Sequence, residues 1–197
     1  MSKEGVDHSR RRFLTVAATV VGGAGVVAVA VPFVSSMNPS ARAQAAGAPV
    51  EVDIGKLEPG QLLTVPWRGN PVWILRRTEQ QIASLPKLNE QLRDPYSTQP
   101  QQPPYCQNMQ RSIKPEFLVT VGICTHLGCS PTFRPEVAPA DLGDEWLGGF
   151  FCPCHGSRFD LAGRVYKGVP APLNLLVPPY QYLTETTVLV GVDQGAA

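Results

Sequence analysis

The longest apolar stretch of the chain runs from Thr15 to Val34, twenty residues without an ionisable side chain. As a helix it would span about 30 Å, one bilayer core. The segment Ser35 to Pro49 (SSMNPSARAQAAGAP) is small, polar and rich in Ala, Gly and Pro. It cannot bury a core and reads as a flexible linker. From Val50 the apolar period falls to two: Val50-Glu51-Val52-Asp53-Ile54 alternates as a half-buried strand does. Glu58-Pro59-Gly60 predicts a turn before a strand over Leu62 to Val65. Arg68-Gly69-Asn70-Pro71 predicts another before Val72 to Leu75. Phe117 to Ile123 is a strong apolar run, and Gly149 to Cys152 a shorter one. Tyr180 to Leu183 and Thr187 to Val192 flank Glu185-Thr186 as a closing hairpin. Thr78 to Arg93 departs from this rhythm. Thr78 suits a helix cap with Gln81 three residues on, and Pro86 limits the first turns. Asp94 to Pro104 (DPYSTQPQQPP) is irregular, so residues 78–116 read as an insertion between strands of an antiparallel β domain.

Composition supports this picture. Twenty prolines and 18 glycines in 197 residues argue against a helical bundle and for short strands joined by many turns. The length suits one domain of ordinary size plus a small appendage. A formal net charge of +1 excludes a generic nucleic-acid binder, which needs a basic face. There is no internal repeat.

The apolar run is preceded by Ser9-Arg10-Arg11-Arg12-Phe13-Leu14, which fits a twin-arginine export pattern. Ala41-Arg42-Ala43 and Ala43-Gln44-Ala45 resemble signal-peptide cleavage sites. The apolar run is longer than the 7–15 residues usual for a cleaved signal, which favours an uncleaved anchor. Arginines before the span place the N-terminus in the cytoplasm and the rest of the chain on the periplasmic side. The expected organisation is a cytoplasmic segment 1–14, an anchor 15–34, a hinge 35–49 and a head domain 50–197. Gly22, Gly23 and Gly25 suit close approach of another membrane helix, or reflect only the frequency of Gly in such helices.

Two of the three histidines and four of the five cysteines fall in two short loops. These are Cys124-Thr125-His126-Leu127-Gly128-Cys129 and Cys152-Pro153-Cys154-His155-Gly156-Ser157. Each loop offers a Cys/His ligand pair plus one extra cysteine. Two thiolates and two imidazoles can hold tetrahedral zinc. They can also hold a [2Fe–2S] cluster with two cysteines on one iron and two histidines on the other. An exported chain can keep a disulfide, and pairing Cys129 with Cys154 would staple the loops together across 25 residues. On the chain-entropy estimate that is worth about 3.5 kcal/mol. A cluster near the surface needs such a staple more than structural zinc does.

Both loops match, residue for residue, those of the Rieske iron–sulfur protein of the cytochrome bc complexes, and the chain is similar to that family throughout. The twin-arginine start, single anchor, hinge, β head and proline-rich Gly168-Val169-Pro170-Ala171-Pro172 all fit. The 78–116 insertion resembles that of proteobacterial members. The resemblance implies a mainly β fold: an antiparallel Rieske-type domain with a small cluster-binding part over 123–172, preceded by one transmembrane helix. It implies one [2Fe–2S] cluster per subunit, with Cys124, His126, Cys152 and His155 as ligands and Cys129–Cys154 as the family's disulfide. His155 would offer its free nitrogen to quinol, although the sequence alone does not separate it from His126. Leu127 would shield the cluster and pack at the quinol pocket, and Ser157 would hydrogen-bond a cluster sulfur. The implied partners are a cytochrome b subunit and a c-type cytochrome, in a dimeric complex of the bacterial inner membrane that moves protons as it oxidises quinol.

Neutral imidazoles in place of thiolates raise the potential of such a cluster, and hydrogen bonds to its sulfurs raise it further. High-potential members of the family have tyrosine two residues after the serine, where this chain has Phe159. One lost hydrogen bond of about 1 kcal/mol corresponds to roughly 40 mV for a one-electron couple. Two other readings carry the same motif: the Rieske small subunit of an exported molybdenum oxidase, and a zinc-stabilised binding domain. Ring-oxygenase ferredoxins lack the paired extra cysteines and the anchor. Cys106 suits a buried small apolar residue, and Trp67, Trp73 and Trp146 suit the core.

Overall fold

A computed structural model describes Gly5 and residues 7–193, and the chain divides into two compact units, one ending at Ala45 and the other beginning at Ala46. The first unit is dominated by helix α1, His8–Ser35, of 28 residues. It begins earlier than the apolar run because Asp7 caps it, accepting from the backbone N–H groups of Ser9 and Arg10. Its mean hydropathy reaches 2.2 and none of that stretch is buried in the chain, as suits a helix covered by lipid. The hydroxyls of Thr15 and Thr19 donate back to the carbonyls of Arg11 and Thr15 at 2.8 Å, so neither presents an unsatisfied donor to lipid.

The linker holds one element that its composition did not announce, a short helix α2 over Ala41–Ala46. Four alanines favour it, and the Ser40 hydroxyl accepts from Ala43 N–H at its start.

The second unit is built on three antiparallel three-stranded sheets. Strand β1 (Val50–Asp53) pairs with β9 (Thr187–Val190), which pairs with β8 (Tyr180–Tyr182). Strands β2 (Leu62–Trp67), β3 (Asn70–Arg76) and β4 (Phe117–Val121) form the second sheet. Strands β5 (Thr132–Arg134), β6 (Gly149–Cys152) and β7 (Ser157–Asp160) form the third. The predicted hairpin turn between β2 and β3 is a tight one. Trp67 pairs with Asn70, and Arg68 and Gly69 between them both have positive φ, as a type I′ turn requires.

Strand β3 is apolar on both faces because both are covered. Val72 and Ile74 join a core with Val52, Val119, Tyr180, Val188 and Val190. Trp73 and Leu75, one residue out of phase, join a second core with Leu118, Cys124, Phe150, Cys152 and Phe159. The second core lies under the two cysteine–histidine loops, and the sheet of β3 is thereby a wall shared by both cores.

Residues 77–116 lie between β3 and β4, which pair directly. Thr78 and Gln81 form a reciprocal capping box at the start of α3 (Glu79–Ser84). The α-helix is shorter than the Thr78–Arg93 pattern suggests: it gives way to a 3₁₀ helix over Leu85–Gln91, where Pro86 occupies the first turn. Strands β5 and β7 were missed by periodicity. The first has three residues, and the second is half hidden inside the second cysteine–histidine motif.

Candidate functional site

The first loop spans β4 to β5. Cys124 N–H donates to Cys129 O at 2.7 Å and Gly128 N–H to Cys124 O at 3.0 Å, so the six residues fold back on themselves. Gly128, at φ +84°, makes the reversal that a side-chain-bearing residue would resist. The second loop is the turn of the β6–β7 hairpin, in which Cys152 pairs with Ser157. Gly156 N–H closes it onto Cys152 O at 2.9 Å.

These closures sort the four loop cysteines into two kinds. Cys124 and Cys152 are free thiols, each 2% exposed, within one packed core. Cys129 and Cys154 are joined as a disulfide that ties one loop to the other, as the family resemblance implied. Its sulfurs lie within 4.8 Å of the Cys152 sulfur, but being bonded to each other they are not free to ligate metal. Burial pushes the Cys152 thiol above the ordinary thiol range. His126 and His155 approach edge to face, ring centroids 4.8 Å apart. The structure also separates the two histidines, which the sequence did not: His126 is half-buried and His155 exposed. Leu127 stands beside them at 72% exposure, a large apolar side chain left in water.

The surroundings brace both loops. Thr125 donates its hydroxyl to Leu173 O at 2.6 Å. Ser157, fully buried, accepts from Ala171 N–H at 3.1 Å, which fastens the Gly168–Pro172 segment beside the loops. This leaves the Ser157 hydroxyl proton for another acceptor. Phe159 is fully buried opposite Phe150 and packs in the core that contains Cys124 and Cys152. A tyrosine hydroxyl there would enter the surroundings of those sulfurs. Phe159→Tyr is therefore expected to raise the midpoint of a bound cluster by roughly 40 mV. A redox titration returning the parent midpoint would refute the assignment of Phe159 as a lost donor.

The donor set passes the chemical test for a mixed cluster: two buried thiols, two adjacent imidazoles and a hydroxyl proton to spare. Cys106 is buried in the other core, its thiol donating to the Tyr180 hydroxyl at 3.7 Å, and takes no part. Trp67, Trp73 and Trp146 are all core residues.

Sequence reasoning missed a set of buried charges around the turn that follows β7. Arg77, Arg111, Asp160 and Arg164 are all 2% exposed or less. Asp160 and Arg164 are four positions apart, but Arg77 and Arg111 have partners up to 84 and 64 positions away, so nothing in the local sequence marks those two as buried.

Comparison with known proteins agrees with the chemistry. The family description "Rieske [2Fe-2S] domain" matches residues 95–181, and "Ubiquitinol-cytochrome C reductase Fe-S subunit TAT signal" matches residues 1–40. The chain is 62% identical over 197 residues, all of its length and 95% of the relative's, to the ubiquinol-cytochrome c reductase iron-sulfur subunit of Allochromatium vinosum. It is 44% identical over 190 residues to that of Blastochloris viridis, covering 96% of this chain and 97% of the relative. Against that of Rhodospirillum rubrum it is 43% identical over 191 residues, with 96% of each chain covered. Whole-length likeness to these subunits displaces the molybdenum-oxidase and zinc readings. The chain belongs to the family of ubiquinol-cytochrome c reductase iron–sulfur subunits, membrane-anchored electron-transfer proteins that carry a Rieske [2Fe–2S] cluster.

Proposed function

We propose that Cys124 and Cys152 hold one iron of the cluster and His126 and His155 the other. The observation that carries this is the sorting of the loop cysteines: two are buried as free thiols and two are consumed by the disulfide. The cluster supplies a one-electron acceptor whose potential is raised by its neutral imidazole ligands.

The chain's own groups do the rest. His155, exposed at the loop tip, presents its outer ring nitrogen to a quinol hydroxyl and takes up its proton. Leu127 covers the site and seats its exposed side chain in an apolar pocket of the cytochrome b subunit, which excludes water from the contact. Ser157 holds its hydroxyl proton toward a cluster sulfur. The disulfide keeps the two loops in register while partners come and go. Electron delivery is to a c-type cytochrome on the periplasmic side, in a dimeric complex, and protons are released there.

The test is an EPR spectrum of ascorbate-reduced membranes with and without an inhibitor of the quinol-oxidation pocket. A Rieske-type signal whose shape changes with inhibitor is expected. A signal indifferent to the inhibitor would detach the cluster from a quinol site, and no signal in membranes containing the metal-loaded protein would overturn the ligand assignment.

The linker 35–49 acts as the hinge on which the head travels between quinol site and cytochrome. Beyond Ser35, where α1 ends, its regular element among the described residues is the six-residue helix α2, too short to be stable alone. Replacing Ala43 to Ala46 by a proline run is expected to slow turnover with the EPR signal intact. Unchanged turnover would remove the hinge from the mechanism.

A further inference from the structure

The interior of the head carries unbalanced charge. Arg77, Arg111 and Arg164 are buried, and Asp160 is the one buried carboxylate among the described residues. Asp160 belongs to Arg164, which it meets at 2.7 Å and whose backbone N–H it also accepts. Arg77 and Arg111 have neutral partners throughout. Arg77 donates to the carbonyls of Gln110, Pro115 and Leu161 and to the Ser112 hydroxyl. Arg111 donates to the carbonyls of Gln101, Ala162, Gly163 and Leu175 and to the Gln102 amide oxygen. Asp94, which also acts on Arg111, is half-buried, and its oxygens are engaged by Thr98 and Gln99. Burial lowers both guanidinium pKa values, to about 10, so both remain cations at neutral pH.

The place of these cations matters. Arg77 grips Leu161, and Arg111 grips Ala162, Gly163 and Leu175. Leu161, Ala162 and Leu175 pack in the same core as the Cys124 and Cys152 thiols. Gly163 sits at φ +70° with Arg111 Nη1 3.2 Å from where a Cβ would stand, so the turn is shaped around the guanidinium. Asp160 acts on both arginines but is paired with Arg164, so the three buried arginines outnumber the one buried carboxylate, and Arg77 and Arg111 both bond residues of the core that holds the two buried thiols.

We propose that Arg77 and Arg111 are electrostatic positioning residues that raise the reduction potential of the Rieske centre by fixing an excess of positive charge against the core that carries its two buried thiols. The proposal rests on the ligand assignment above. An added electron makes the cluster more negative, and a cation held in the interior stabilises that state. Water and salt screen such a charge at the surface, and much less when it is buried. The hydrogen bonds to neutral carbonyls hold the charge in place without cancelling it.

The experiment is an EPR-monitored redox titration of membranes carrying the full complex, with Arg77→Gln, Arg111→Gln, Arg77→Lys and Arg111→Lys. Each glutamine variant is expected to titrate at a lower midpoint than the parent, at low and high salt alike. The two together are expected to titrate lower still. Each lysine variant is expected to stay near the parent value. Glutamine variants at the parent midpoint would overturn the proposal. Lysine variants lowered as far as the glutamine ones would also overturn it, because packing rather than charge would then be responsible. Where a glutamine variant does not accumulate, its lysine counterpart decides alone: a lowered midpoint overturns the proposal and a retained one supports it. Absence of a Rieske signal in the parent protein would instead strike at the ligand assignment, and it is seen before any variant is made.

Discussion

Replacing Cys129 and Cys154 together by serine is expected to cost the head about 3.5 kcal/mol, the loop-closure entropy of a 25-residue ring. At this chain length that corresponds to a fall of roughly 7–14 °C in the melting temperature. The loss should reach the cluster first. The disulfide is the covalent bond between the two loops, and the Cys152 thiol is packed against it. Heating solubilised membranes while following the EPR signal would show the cluster lost at lower temperature in the double variant. Equal loss profiles for variant and parent would mean that the backbone closures within each loop suffice alone.

A single methyl group is expected to do comparable damage at Gly122, two residues before Cys124. A Cβ there would fall inside the indole of Trp73. Gly122 cannot retreat freely, because its N–H donates to Pro71 O at 2.8 Å. Trp73 cannot retreat freely either, because it stacks on Phe150 with centroids 4.9 Å apart. Phe150 in turn lies two residues before Cys152 in β6. Gly122→Ala should therefore destabilise the head by about 3 kcal/mol, at the upper end of overpacking costs. The melting temperature should drop by roughly 6–12 °C. Trp73→Leu in the Gly122→Ala background makes room for the methyl, and the two changes should couple by about 1 kcal/mol or more. Strict additivity would show that the indole is not what fills the glycine's space.

The strands that one face of a sheet defines, such as Val50–Asp53, were visible as alternation, and the closing hairpin was visible from its turn. Strand β3 was visible as a continuous apolar run, but its meaning was not. Only the fold shows that Trp73 and Ile74 belong to different cores. Four of the five cysteines and two histidines announced the site because metal chemistry demands those residue types at short spacing. Its supports were silent for the opposite reason. Arg111 and Gly122 act on partners far away in sequence, and no local pattern encodes an arginine held by carbonyls or a glycine emptied for an indole. The exposure of His155 was likewise beyond the sequence, since both histidines sit in equally plausible loops.

The bracing of the two loops has a consequence for speed. Thr125 is tied to Leu173, Ser157 to Ala171, and the loop tips to each other through the disulfide. A site held at so many points gains or loses a charge with little movement of its surroundings, because its dipoles are already set. Its reorganisation energy is expected to be small, and turnover is then expected to be limited by encounter with its partners rather than by the electron step itself. A weak temperature dependence of electron transfer in the docked state, beside a steep one for overall turnover, is the signature to look for.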